Sequence, residues 1–360
     1  MLLPLASLLI FVGTYTPKDG ASHGIYSVRF DPATGALSAP VLAAKTSNPT
    51  FLAAHPNGRV LYALSESNTG GAAAAFAIDA AAGTLALLNK EASGGGGFCY
   101  IGLDATSRVL VGISYGGGQV ASFPVDQEGR IGSVATLLQT AGTLGPDKAR
   151  QNAPHAHSAT FSPDNRFVYV CDLGLDKILR YRIDHQTGRL ALDGETATAP
   201  GAGPRHSKFS GAGRFFHVIN ELNSTVTTYA CDPATGHLTP KQTVPTLPAG
   251  FQGTNICAEI RVHPSGKFVY GSNRGHDSLA VFSRDEATGL LTPVEIVPSG
   301  GGHPRNFNIT PDGNWLICAN RDSDNLVVYR IDPATGRLTA TGQTATVPKA
   351  VCVLFAVSGE

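Results

Sequence analysis

The chain has 360 residues, too many for one small core, so it forms either several domains or one large repetitive architecture. Its 27 basic residues are matched by 27 acidic ones, which excludes the broad basic field of a nucleic-acid-binding or membrane-surface protein; any charge that matters is local. Six cysteines (Cys99, Cys171, Cys231, Cys257, Cys318, Cys352) are scattered without CxxC spacing, mostly among strand-like apolar residues, and read as buried reduced thiols rather than as disulfides or a metal site.

Residues 1–10 are apolar, lack a basic leader and a small-residue cleavage site, and are too short to span a bilayer. They are either the remnant of a signal peptide or the lead into a strand, so the expected location is the cytoplasm, with the periplasm or secretion as the alternative. Residues 11–16, 24–30 and 37–44 then read as three successive strands. From here one cue returns along the whole chain: an aspartate, a few turn formers, glycine, then usually leucine, as in Asp31-Pro-Ala-Thr-Gly-Ala-Leu37 and Asp332-Pro-Ala-Thr-Gly-Arg-Leu338. The others begin at Asp79, Asp126, Asp184, Asp232 and Asp285, and the successive intervals are 48, 47, 58, 48, 53 and 47 residues. Each is a hairpin turn with glycine where positive φ is wanted.

Between these turns lies a second cue, His55-Pro-Asn-Gly58, Ser162-Pro-Asp-Asn165, His263-Pro-Ser-Gly266 and Thr310-Pro-Asp-Gly313, each followed by a β-rich run such as Lys267-Phe-Val-Tyr270. Four short strands per unit and seven units describe an all-β fold, a seven-bladed β-propeller occupying residues 1–360 as a single domain. The chain opens on a second strand and ends on an unpaired first strand, residues 351–357, so one blade is closed by the N- and C-terminal strands. The 58- and 53-residue intervals carry their excess in loops, 142–157 and 245–253, that precede a first strand and fall on one mouth of the ring, where function usually lies.

Blades can be compared with one another, and residues needed only for folding should recur. Thr50, Cys99, His157, Arg205, Ala258, Arg305 and Lys349 are expected to share one register at the start of the innermost strand. Glu66, Tyr115, Leu173, Glu221, Arg274 and Arg321 form the companion register at the end of the second strand, beside them in an antiparallel hairpin. Arg205 to Glu221, Arg305 to Arg321 and Thr50 to Glu66 each span 16 residues. A ring of arginine and lysine with two carboxylates and a histidine suits a small anion, because guanidinium forks match carboxylate and phosphate. Polar strand ends are also often merely solvated. His55 and His263 belong to turns at the opposite end and read as structural. His155 and His157 lack a third and fourth ligand at sensible spacing, so no metal is expected.

The stretches Pro154-His-Ala-His157, Cys171 to Lys177, Gly201-Ala-Gly-Pro-Arg-His206, Asn220-Glu-Leu-Asn-Ser224, Ala258-Glu-Ile with Ser272-Asn-Arg-Gly275, and Pro304-Arg-Asn-Phe307 resemble the bacterial 6-phosphogluconolactonase family of seven-bladed propeller lactonases, over essentially the whole chain. The resemblance implies a cofactor-independent lactonase of carbohydrate metabolism, in the pentose phosphate pathway, acting on 6-phosphogluconolactone or a similar anionic sugar lactone. The same family includes fungal 3-carboxy-cis,cis-muconate lactonizing enzymes, whose proposed histidine, two arginines and glutamate correspond by motif to His157, Arg205, Glu221 and Arg274. His157 or Glu221 is then the expected general base, Arg205 and Arg274 the oxyanion and anion stabilisers, and Arg305, Arg321 and Lys349 the phosphate or carboxylate contacts. His155, His206 and Glu259 lie in the same motifs and are expected to bind substrate. The alternatives are a carboxymuconate-type cycloisomerase using the same arginines, or a non-catalytic propeller offering its rim to a partner. The expected partner is a small lactone, with no nucleic acid, no membrane and no cofactor, and the expected state is a monomer.

Overall fold

Each Asp-to-Gly turn folds locally for the same reason and then docks on the neighbouring blade. In the first, the Asp31 carboxylate accepts the Ala33 N–H at 2.9 Å and the Thr34 hydroxyl at 2.7 Å; the backbone bond recurs at Asp79, Asp184, Asp232, Asp285 and Asp332, and the threonine hydroxyl bond at Asp184, Asp232 and Asp285. Gly35 lies at φ +76° with its Cα facing the Trp315 ring, where an added Cβ would come within 2.7 Å of the indole, and Trp315 Nε1 donates to Pro32 O at 3.2 Å. Other blades make the same join with a tyrosine on the second strand: Tyr62 to Gly129 O, Tyr169 to Gly236 O and Tyr270 to Gly336 O, at 2.7 to 3.0 Å. Repetition in sequence is thus repetition of one inter-blade contact.

The computed structural model describes residues 7–67 and 70–356. They form seven four-stranded antiparallel sheets. The first blade joins Ala350–Phe355, innermost, to Leu8–Thr14, Gly24–Phe30 and Val41–Lys45. The expected closure is therefore observed, although Val357 lies outside the described residues. The remaining blades follow in chain order, their innermost strands being Leu52–Ala54, Phe98–Leu103, Ala156–Phe161, Pro204–Ser210, Ile256–Val262 and Pro304–Ile309. Each innermost strand packs beside those of the adjacent blades, the last returning to Ala350–Phe355, which closes the ring around a central axis.

Val, Ile, Phe and Tyr on the second and third strands bury both faces of each blade against its neighbours, which is why these strands read as continuous apolar runs rather than alternating ones. The first described residues join this core: Ile10 and Phe11 are fully buried in the first blade, so the end of the apolar run is strand, while residues 1–6 lie outside the description. All six cysteines are buried. Among the described residues no helix is long and apolar enough to cross a membrane. His263 bridges Ser265 and Gly313 O at 2.8 Å each, the structural role expected of it.

Candidate active site

Every innermost strand begins with an irregularity. In the fourth blade Ala156 faces Asp172 and Ser158 faces Cys171, leaving His157 as an extra residue; in the fifth, Arg205 is extra between Pro204 and His206; in the seventh, Arg305 between Pro304 and Asn306. Cys99 takes this position in the third blade, and Ala258 with Glu259 in the sixth. Around Thr50 the bonds Leu64 N to Phe51 O and Glu66 N to Asn48 O carry the same offset. A β-bulge re-aims its side chain out of the pleat, and here it brings His157 and Arg205 to one mouth of the axis, beside the residues that end the second strands.

Lys349 does not belong to this register. In the closing blade the extra residue is Val351, between Ala350 and Cys352. Lys349 sits two residues earlier, at φ +52°, and its carbonyl accepts the Tyr15 N–H as Gly203 accepts that of Glu221. The companion residue in this blade is accordingly Tyr15.

Glu221 is the hub of the mouth. Its Oε2 lies 2.8 Å from Arg205 Nε and 2.8 Å from Arg274 Nη2, and its Oε1 accepts from Arg150 Nη2. Arg274 Nη2 also donates to Cys257 O at 2.6 Å, and Arg205 Nη1 to Ala258 O at 2.5 Å, so both guanidinia are fixed from two directions. Burial alone would raise the Glu221 carboxyl, but Arg274, Arg205 and Arg150 together carry it far below the usual carboxylate range. Burial pulls Arg274 down to about 9, opposed by Glu221, and it remains cationic at neutral pH. Three guanidinia on one carboxylate leave the mouth with surplus positive charge.

His157 stands beside this cluster, buried, with Nδ1 unpartnered. Its ring packs edge-on against Tyr115 at 5.5 Å and His206 at 5.2 Å. Burial, reinforced by Arg205, His206, Arg305 and Arg274, drops its pKa well below that of ordinary histidine, so the imidazole is neutral at pH 7. His155 is turned away: it stacks on Tyr115 at 4.3 Å, with Nδ1 on Tyr115 O and Nε2 on Asn152 Oδ1, and its visible role is to hold Tyr115. One level further in, His206 Nδ1 lies 3.2 Å from Glu259, which also meets Asn306 and Arg261. Burial takes His206 down to about 3, against the pull of Glu259.

Across the mouth the Arg305 guanidinium lies 5.5 Å from the Tyr15 ring centroid and forms no ion pair among the described residues. Tyr15 donates to Glu66 at 3.2 Å and Thr50 donates to the same carboxylate at 2.5 Å. Arg321 keeps its register position, but its guanidinium is paired with Asp322 at 2.8 Å, and Lys349 is paired with Asp324 at 3.2 Å, both on the rim. The residues that repeat comparison overlooks are Arg150, which belongs to no strand, and Tyr15, hidden by the misplaced register. The excess length of the 142–157 loop was the sequence signal for Arg150. No group of three or more His, Cys, Asp or Glu side chains among the described residues is arranged to hold a metal ion.

A family model described as Lactonase, 7-bladed beta-propeller matches residues 9–355. A 6-phosphogluconolactonase of Bacillus subtilis is 38% identical over 345 residues, covering 96% of this chain and 97% of that protein. Another, from Formosa agariphila, is 34% identical over 83% of this chain and 86% of its own length. The solved structure of a periplasmic gluconolactonase from Pseudomonas aeruginosa matches with a TM-score of 0.91 at 32% identity, over 98% of this chain and 99% of that one.

Proposed function

Since the chain belongs to the seven-bladed β-propeller lactonase family, we propose that the mouth hydrolyses 6-phosphogluconolactone or a closely similar anionic sugar lactone, with His157 as general base. The observation that carries this reading is the cluster of Arg150, Arg205 and Arg274 on the single carboxylate of Glu221, with a neutral imidazole at its edge. Surplus cationic charge attracts the anionic lactone, and Arg205 and Arg274 offer preorganised donors for the oxygen on which charge develops.

Water attacks the lactone carbonyl carbon while His157 removes its proton, giving a tetrahedral intermediate whose oxyanion faces Arg205 and Arg274. The bond from that carbon to the ring oxygen then breaks, and the departing oxygen takes the proton from His157, so one water is added and the imidazole returns to its starting form. Glu221 is a poor base because three guanidinia stabilise its ionised form; its part is to hold them. Substrate binding strengthens His157, since an anion among the arginines offsets the charge that depresses its proton affinity. Arg305 offers a further contact for the substrate's anionic group. Arg321 and Lys349, already paired with aspartates, are not needed for it.

Release of 6-phosphogluconate, followed by an NADP-linked coupled reaction, should run well above spontaneous hydrolysis. A rate equal to the uncatalysed one would remove this substrate. Loss of ultraviolet absorbance from a carboxymuconate would favour the cycloisomerase instead.

A further inference from the structure

Arg150 reaches the mouth from the loop between the third and fourth blades, and that loop is tightly built. Gln151 is fully buried, its Nε2 donating to Leu173 O at 2.9 Å and its Oε1 accepting from Asp147 N at 3.0 Å. The Asp147 carboxylate accepts the backbone N–H groups of Ala149 and Arg150 at 3.0 and 3.2 Å. One closed turn therefore sets both the position and the direction of Arg150. At its tip, Nη2 donates to Glu221 Oε1 and lies 3.5 Å from the hydroxyl of Tyr115, itself held by the stacked His155 ring.

The three arginines on Glu221 differ in what they leave free. The side chains of Arg205 and Arg274 are 2% and 4% exposed, that of Arg150 33%. Among the described residues, Nε and Nη1 of Arg150 make no hydrogen bond, so these donors are uncommitted on a side chain one-third exposed while Nη2 is locked on Glu221. Of the other cations, Arg321 and Lys349 on the rim each hold an aspartate, and Arg305 lies across the mouth over the Tyr15 ring.

We propose that Arg150 is the specificity-determining residue for the lactone's anionic group remote from the scissile bond, its outward N–H groups taking a phosphate or carboxylate while Arg205 and Arg274 attend the reacting carbonyl. The inference rests on the lactonase reading of the mouth. A bidentate, charge-assisted contact of this kind is sensitive to the shape of the cation as well as to its charge, so lysine replaces it only in part.

The test compares the wild-type protein with Arg150→Gln and Arg150→Lys on three lactones: 6-phosphogluconolactone, carboxylate-bearing glucarolactone and neutral glucono-δ-lactone. For Arg150→Gln the ratio of kcat/KM on the phosphorylated over the neutral lactone should fall roughly ten- to a hundredfold, mainly through KM, and Arg150→Lys should recover part of it. A parallel fall with glucarolactone identifies a subsite for any distal anion, and a fall confined to the phosphorylated lactone a phosphate subsite; either supports the assignment. An unchanged ratio overturns it, including the case in which all three lactones suffer equally and Arg150 merely supports Glu221. Calorimetric binding of 6-phosphogluconate and of gluconate separates this inference from the lactonase reading. If the wild-type protein hydrolyses none of the lactones, that reading fails, yet a preference for 6-phosphogluconate that disappears in Arg150→Gln still upholds the subsite, and an equal affinity for both overturns it.

Discussion

Exchanging Glu221 for glutamine keeps the volume and removes the charge shared by three guanidinia. Arg205 and Arg274, 2% and 4% exposed, then remain buried without a counter-charge, and breaking a buried pair in this way costs about 3–5 kcal/mol. Arg150, a third exposed, adds little, because water screens it. With an unfolding entropy of roughly 2.1 cal/mol/K per residue over 360 residues, the loss lowers Tm by about 4–7 °C, which scanning calorimetry at pH 7 measures directly. The acid side gives an independent reading. A carboxyl held below its ordinary 4.5 contributes stability that is fully present above that value and is lost as pH falls through the range beneath it. Wild-type Tm should therefore decline below about pH 4.5, and Glu221→Gln should decline less steeply, keeping the share due to Glu259, whose carboxyl is also held low despite burial, by Arg261, His206 and Lys208, and the share due to hydrogen-bonded aspartates such as Asp104 and the turn residues Asp184 and Asp232. A variant that melts with the wild type at pH 7, with the same acid slope, would show that Glu221 is not the counter-ion of the cluster.

His157→Gln should lower kcat by roughly 10²–10⁴ with little change in KM, measured by steady-state hydrolysis. Because its pKa is depressed in the free protein, the acid limb of kcat/KM should lie well below pH 6.5, and the limb of kcat should lie higher, once bound anion offsets the arginines; coincident limbs would argue against that assistance. Arg205→Ala should reduce kcat by about 10²–10³, as expected for removal of an oxyanion donor. Arg321→Gln and Lys349→Gln, each breaking only a partly exposed pair, should change kcat/KM by less than about fivefold. Deleting residues 350–360 removes the innermost strand of the first blade and bares the edge of Leu8–Thr14, so the product should aggregate on expression; a soluble, cooperatively melting product would contradict the closure.

The ring was legible in the sequence because its turns are solved locally. Aspartate and glycine each perform a task that no distant residue can supply, as at Asp31, Asp232 and Asp332, so that pair survives in every blade, while the threonine is missing from the turns at Asp79 and Asp126. Arg205, Glu221 and His157 stood out for the complementary reason: they break a pattern that folding alone would fill alike. Lys349 was misplaced because its charge fitted the ring better than its spacing. Thr50, Cys99, Arg205 and Arg305 lie 19 to 21 residues after their turn aspartates, and Val351 lies 19 after Asp332, whereas Lys349 lies 17. Arg150 was signalled only by the length of its loop, since a loop side chain has no counterpart in the other blades, and its direction is set by Gln151 and Asp147 rather than by any strand period. The proposed division between a base and a holder, His157 and Glu221, rests on the count of guanidinia around Glu221, which the sequence does not supply.

The recurrent bulge makes the ring a set of interchangeable sockets turned toward one axis. Three of them hold basic side chains in His157, Arg205 and Arg305, and four hold Thr50, Cys99, Ala258 and Val351. Ladder bonds on either side hold each socket's backbone, and blade-to-blade packing is shared between the second and third strands and the inner-strand residues beyond the bulge, such as Ile101 and Ala159, so exchanging a socket's side chain need not disturb the wall behind it. Ala258 shows the separation well, since its carbonyl already anchors Arg205 while its methyl group contributes no charge. A scaffold of this kind can acquire a different reaction by changing one or two socket side chains, long before any strand has to move.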